Sequence, residues 1–548
     1  MKKKISSVIL CVVLSLSLLA GCGGRSGGQA AGEGKAKAGR EGDISIALDA
    51  DVTTLDNNVI DLPADFTVVR AMQDGLMEQT DTDLKPGLAE SYEVSPDGLT
   101  YTFHLRDAKY SNGEVIKAED FVTSWRRLVD PETGSAYAWF AGAAGVENAD
   151  AIAFEGGAAQ TLGISAPDEK TVVVKLDRQV PFFTAIITMP CFAPVSEAFV
   201  KEHEGRYGQS GEDILSSGAF MVDEWVPGSG SIRLKKNPEY WNAAAVSVET
   251  LTFRTVMDEQ SGILSYQAGD LDVVGLHGDM AAKYASDPAL DIQLSPKMEY
   301  LYLNHSNSFL SSKALRQALS KALNKDDITK GILKDGSESA DYFVPKNFAY
   351  DDKGVAYHDA VKLEPSGYDT AKALELWEEA GKELGTEEVS LELLYDDTTE
   401  GKNIAQYLKS SLEKALPGLT VELREVPYAA CWDEQKAGNF DMTISSWMAD
   451  YIDPSSYFDM LMSTNEYNLG NWNNPEYDGY CRDATTLFAS DPEARREAYG
   501  KAEQVILEDV GLIPLYQTGD SSLIRPGISV KFAPFGSYLF RYATKTQE

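Results

Sequence analysis

Residues 389–454 read VSLELLYDDTTEGKNIAQYLKSSLEKALPGLTVELREVPYAACWDEQKAGNFDMTISSWMADYIDP. Within them, 389–395 and 421–426 have strand composition and 404–416 between them is helical, and strands alternating with helices describe an α/β lobe. Near the end, Phe440, Met442 and Ile444 alternate with Asp441 and Thr443, the period-2 pattern of a strand with one buried face. The alternation stops at Ser445-Ser446. Trp447 follows, and the chain turns through 448–453 to close on Pro454. Ligands of open α/β sheets sit beyond the carboxyl ends of strands. Asp450 falls there, one turn from an indole able to shield it. A shielded carboxylate needs a cationic partner; the neighbouring sequence offers none, and a ligand would supply it. The competing reading of Asp450 is a helix cap or a structural ion pair.

Working outward, 548 residues are too many for one core and imply two or three domains. A hydrophobic content of 43% with 24% charged residues is that of a water-soluble globular chain. The net charge of −36, from 85 acids and 49 bases, excludes a nucleic-acid partner, which needs clustered Lys and Arg. The five cysteines are too scattered for a disulfide framework. Cys191, Cys431 and Cys481 read as core thiols, with a Cys431–Cys481 bridge as the alternative.

The first residues are an address. Met1-Lys2-Lys3-Lys4 is basic, 5–19 is apolar but short for a membrane span, and Leu19-Ala20-Gly21-Cys22 ends the run. This resembles the lipobox of bacterial lipoproteins, which implies cleavage before Cys22 and a diacylglyceryl group on its sulfur. The Gly- and Ala-rich segment 23–42 then reads as a flexible tether.

The body opens with a strand at 43–48 and Thr54-Leu55-Asp56-Asn57, then a loop and a helix expected over 66–76, with Val68, Val69, Met72 and Leu76 at helical spacing. Residues 87–131, GLAESYEVSPDGLTYTFHLRDAKYSNGEVIKAEDFVTSWRRLVDP, hold a strand, a Pro96-Asp97-Gly98 turn and a second strand at 100–105. The helix at 118–129 carries Phe121, Val122, Trp125, Leu128 and Val129 on one stripe. This segment, together with Trp447, Asp450 and Tyr451, resembles the peptide-binding members of solute-binding protein family 5, the receptors of oligopeptide and dipeptide ABC importers.

The resemblance implies an α/β, two-lobed periplasmic-binding-protein-like fold of the large cluster C type, with an extra subdomain in the first lobe. Its parts would be a signal peptide (1–21), a lipidated tether (22–42), lobe I (43–73, 196–296 and 517–548), the subdomain (74–195) and lobe II (297–516). It implies a monomeric receptor, anchored outside the cell through Cys22, that binds peptides and delivers them to an ABC permease and its ATPase. Asp450 would hold the peptide's α-ammonium, with Trp447 and Tyr451 beside it. By position, Asp61, Tyr137 and Tyr516 also line the site. The positions that meet a ligand's C-terminal carboxylate in relatives are here Asn307, Gly401, Gln435 and Ile444, none of them cationic. A same-fold receptor for an oligosaccharide or metal chelate, and a peptide sensor without transport, are the alternatives.

No catalytic or cofactor signature accompanies these features. The five histidines lack metal-ligand spacing. Ser411-Leu412-Glu413-Lys414 has no Lys-Thr-Gly partner and lies on an amphipathic helix.

Overall fold

Two long strands join the halves of the molecule. In the computed structural model, which describes residues 42–351, 353–365 and 367–546, Leu290–Leu303 and Leu512–Ile524 run antiparallel along each other. Their register breaks between Leu294 and Met298 and again between Glu299 and Tyr300. Among the described residues they sit mid-sheet in an eleven-stranded sheet. On one side lie Met442–Met448, Val389–Asp396 and Leu419–Val426, mutually parallel where they pair. On the other lie Val273–Leu276, Asp43–Leu48 and Thr250–Thr255, then the antiparallel Ser231–Lys236 and Phe220–Trp225.

Each half has its own core. Ile44, Ile46, Leu234, Leu251 and Phe253 interlock in the first with Val68, Val69 and Met72 from the helix Pro63–Met72. The second is built from Leu391, Leu393 and Val421 against Ile404, Leu408 and Leu412 of the helix Thr399–Ala415. Fully burying each such side chain contributes about 1.5–3 kcal/mol. Cys431 and Cys481 are buried free thiols in separate clusters, and Cys191 is likewise free.

A separate four-stranded sheet, Ala89–Val94, Thr100–Leu105, Thr171–Lys175 and Ile164–Asp168, forms a third unit. The stripe expected on 118–129 is its keystone: Phe121, Val122, Trp125, Leu128 and Val129 are all buried. Asp120 caps this helix by accepting the Lys117 N–H at 2.9 Å, so the lysine at the cap position is compensated. From the last turn Arg127 reaches Asp56 (2.8 Å) and Asn58 (2.6 Å), tying this unit to the first half. Asn57 is buried between them, its Nδ2 donating to the carbonyls of Pro190 and Ala193.

Candidate functional site

The strand Met442–Met448 is longer than its alternation suggests, because Ser445, Ser446 and Trp447 continue to pair with Tyr300, Glu299 and Met298. Tertiary pairing, not side-chain pattern, carries its last turn. The chain then enters a loop locked by its own polar groups. Asp450 N–H donates to Ser456 Oγ (3.2 Å), and Trp447 Nε1 donates to the Ser456 carbonyl (2.7 Å). Asp453 Oδ1 accepts from the N–H (2.9 Å) and Oγ (2.6 Å) of Ser455, so Asp453, and not Asp450, fixes the turn that leads into the short helix Ser455–Phe458. Arg495 clamps Asp453 from the far side, Nη1 to Oδ2 at 2.7 Å and Nη2 to Oδ1 at 2.5 Å.

This lock leaves the Asp450 carboxylate with nothing to do inside the protein. Partly buried, it makes no hydrogen bond or ion pair among the described residues. Burial alone pushes its pKa up to about 6. It lines a cavity of about 240 Å³ between the two halves. Asp61, Phe66 and Arg70 of the first half and Tyr137 of the third unit line the same cavity. Tyr137 packs edge-on against Phe66, and burial, then the Asp450 and Asp61 charges, push its phenol up to about 12. Asp450, Asp61 and Tyr137, far apart in the chain, therefore share one space.

The other three candidate residues sit elsewhere. Tyr451 turns its ring away from Asp450, stacks on Phe182 at 4.6 Å and joins the core of the third unit. Trp447 packs edge-on to Tyr467 and acts on Asp450 through Ser456, by holding the loop. Tyr516 is buried and donates to Glu400 (2.8 Å) at the edge of a second cavity, of about 440 Å³.

Gly401, Gln435 and Ile444 line that second cavity, but Asn307 donates instead to Asp441 (2.6 Å). The cavity does contain a cation, Lys297, which sequence reading missed. Burial works against its charge, yet Glu299 at 2.6 Å and the nearby Glu400 hold its pKa above the usual lysine range. With Asp396 also in the wall, three carboxylates face one ammonium. A Cβ on Gly401 would meet Asp396 Oδ1 at 2.6 Å, so this position has no room for a long cationic side chain. The exposed rings of Tyr428 and Trp432 complete the lining.

The electrostatics fix a pH response. A cation pairs with a carboxylate only in its ionised form, and the Asp450 carboxyl takes up a proton as pH falls through about 6. Affinity for a free-amine peptide is therefore expected to fall about tenfold between pH 7.5 and 5, measurable by titration calorimetry. A flat profile over that range would remove Asp450 from the binding equilibrium.

Two α/β halves joined by long shared strands, with a cavity between them, are the architecture of a two-lobed solute receptor. The chain belongs to a family of such receptors: residues 83–468 match the model for bacterial extracellular solute-binding proteins, family 5. It is 31% identical over 546 residues to the dipeptide-binding protein of Lactococcus lactis, covering 96% of each chain. Among solved structures it resembles the unliganded open form of the murein tripeptide-binding protein MppA, with a TM-score of 0.81 at 28% identity, covering 93% of this chain and 98% of that one. Peptide-bound OppA of Listeria monocytogenes superposes with a TM-score of 0.70 at 28% identity, over 93% of this chain and all of that one.

Proposed function

We propose that this protein is an extracellular receptor that captures peptides by their free amino end between two closing lobes and delivers them to an ABC importer. One observation carries the reading: Asp450 is a walled-in carboxylate whose every other constraint is satisfied and whose charge is not. An α-ammonium supplies that charge as a charge-assisted hydrogen bond, strengthened as closure expels water. The relatives' names, which speak of dipeptide and oligopeptide binding, support the ligand class. The closer superposition on an open, unliganded relative than on a peptide-bound one supports hinge closure. In this reading the hinge lies at the register breaks of the two long strands, near 297 and 517. Lobe I is then 43–73, 196–296 and 517–548, lobe II 297–516, and 74–195 an added subdomain. Asp61 and Tyr137 face the ligand from the first-lobe side. Tyr516 borders the space for later residues, while Trp447 and Tyr451 position Asp450.

Among the described residues no helix is long and apolar enough to cross a membrane. Cys22 lies outside the described residues; as the acylated residue of a mature N-terminus it would hold the receptor to the membrane that carries its permease.

Native mass spectrometry of the protein extracted from membranes tests both parts. The expected result is a mature chain starting at a diacylated Cys22, with peptide masses released on denaturation. Recovered peptides should bind again with a free amine and bind at least a hundredfold more weakly when N-acetylated. Equal affinity for the two forms would overturn the reading.

A further inference from the structure

Besides the carboxylates of Asp450 and Asp61, the cavity contains an unmatched charge of opposite sign. Arg70 lies in the last turn of the helix Pro63–Met72, whose Val68, Val69, Ala71 and Met72 are buried in the first core, and it turns into the cavity instead. Its guanidinium lies over the Phe535 ring at 3.8 Å and within 5.8 Å of Phe66. Its one side-chain hydrogen bond among the described residues goes to Met189 Sδ (3.2 Å), a weak acceptor. No carboxylate pairs with it there. The contrast with its neighbour is sharp: Arg541, which donates to the Arg70 carbonyl, is matched by Asp74 (2.5 Å) and Glu78 (3.3 Å). Burial, then the Arg541 charge, lower the Arg70 pKa to about 10, which leaves it protonated at neutral pH.

A partly desolvated guanidinium without a counter-ion is costly, as is the carboxylate across from it. Asp450 does not relieve Arg70 in this conformation, since burial alone accounts for its shift. Carboxylates outnumber cations in both cavities, Asp450 and Asp61 beside Arg70 in this one and Glu299, Asp396 and Glu400 beside Lys297 in the second. But Lys297 is already paired with Glu299 at 2.6 Å, whereas Arg70 has no carboxylate partner among the described residues. We propose that Arg70 is a second anchor, binding a ligand carboxylate carried within about two residues of the ammonium held by Asp450. This rests on the peptide reading above. Asp450 and Arg70 line this one cavity of about 240 Å³, so the ammonium and the carboxylate they hold belong to neighbouring parts of the ligand. The carboxylate is either the C-terminus of a dipeptide or an acidic side chain near the start of a longer peptide.

Titration calorimetry with two probe pairs separates these sources: Ala-Ala against Ala-Ala-amide, and Ala-Glu-Ala-Ala-amide against Ala-Ala-Ala-Ala-amide. In at least one pair the carboxylate-bearing member should bind about 10–100-fold more tightly, the range of a charged hydrogen bond. Arg70→Gln should abolish that preference while leaving the amides within about threefold, and Arg70→Lys should restore part of it. The amides' unchanged binding also certifies that the variant is folded. Four probes bound without preference, or a preference that survives Arg70→Gln, would overturn the proposal and leave the peptide reading intact. Equal weakening of all four would overturn it too, showing Arg70 to be a closure partner of Asp450. No binding of any probe, by wild type and Asp450→Asn alike, would remove both readings.

Discussion

Asp450→Asn should abolish peptide binding and at the same time make the ligand-free protein more stable. Binding should weaken about 10²–10³-fold, because a desolvated charge pair that loses one partner costs about 2–5 kcal/mol. The stability effect has the opposite sign. The folded-state pKa of Asp450, about 6, lies above its ordinary value of 3.8, so the folded state binds this proton more readily than the unfolded chain does. Above pH 6 the ionised carboxylate is a cost to the fold. Below the ordinary value both states are protonated and the cost is gone. Asparagine removes it at neutral pH, a gain on the order of 2 kcal/mol after allowing for partial exposure. Differential scanning calorimetry without ligand should show a higher Tm for Asp450→Asn at pH 7.5 and no difference near pH 3.5. Saturating peptide should reverse the order, since a ligand at about 100 times its Kd adds about 2.7 kcal/mol to the wild type alone. A lower ligand-free Tm for the variant at pH 7.5 would mean that Asp450 has a structural partner, which its present surroundings do not provide.

Different parts of the molecule were legible beforehand for different physical reasons. The helix Ala118–Val129 and the strand Thr100–Leu105 follow from local periodicity, since the pattern that forms each element is also the face it buries. The position of Asp450 was read differently, from a strand end with no cation in the neighbouring sequence, and its carboxylate does lack a partner among the described residues. What the local pattern does not contain is the partner across the chain. The strand Met442–Met448 outruns its alternation because residues near 298 complete its ladder. Tyr451 and Asp450 are adjacent in sequence but face opposite ways, because stacking on Phe182 draws one ring into another unit's core. The helix Thr370–Leu384 passes through Gly381 and ends at Gly385, where the backbone enters the left-handed region with φ 70°. Arg70 and Lys297 look like ordinary surface cations until the fold places them in cavities. Arg495 lies 42 residues from the aspartate it clamps.

That clamp gives the second large effect. Arg495 and Asp453 are nearly buried, with side chains 12% and 10% exposed, and their bidentate contact holds the loop that aims Asp450. Removing one partner of such a pair costs about 3–5 kcal/mol, because the other charge stays buried and unmatched. Arg495→Ala leaves two carboxylates together, for Asp459 is close by. Burial, then the Asp453 charge, already push the Asp459 pKa up to about 7, with Arg495 restraining the rise. Without Arg495 the Asp459 carboxyl is pushed further towards protonation in the folded state. Because a raised carboxylate pKa adds stability as pH falls through it, the deficit of Arg495→Ala should be largest at pH 8 and shrink by pH 5. The double variant Asp453→Ala/Arg495→Ala should recover at least about 2 kcal/mol relative to the sum of the single losses, since it leaves no orphaned partner. Chemical denaturation at the two pH values measures both quantities. A pH-independent deficit, or strictly additive losses, would show that Arg495 acts by packing against Tyr499 alone. In that case Ser455 and Ser456, not the ion pair, would be what keeps Asp450 pointed into the cleft.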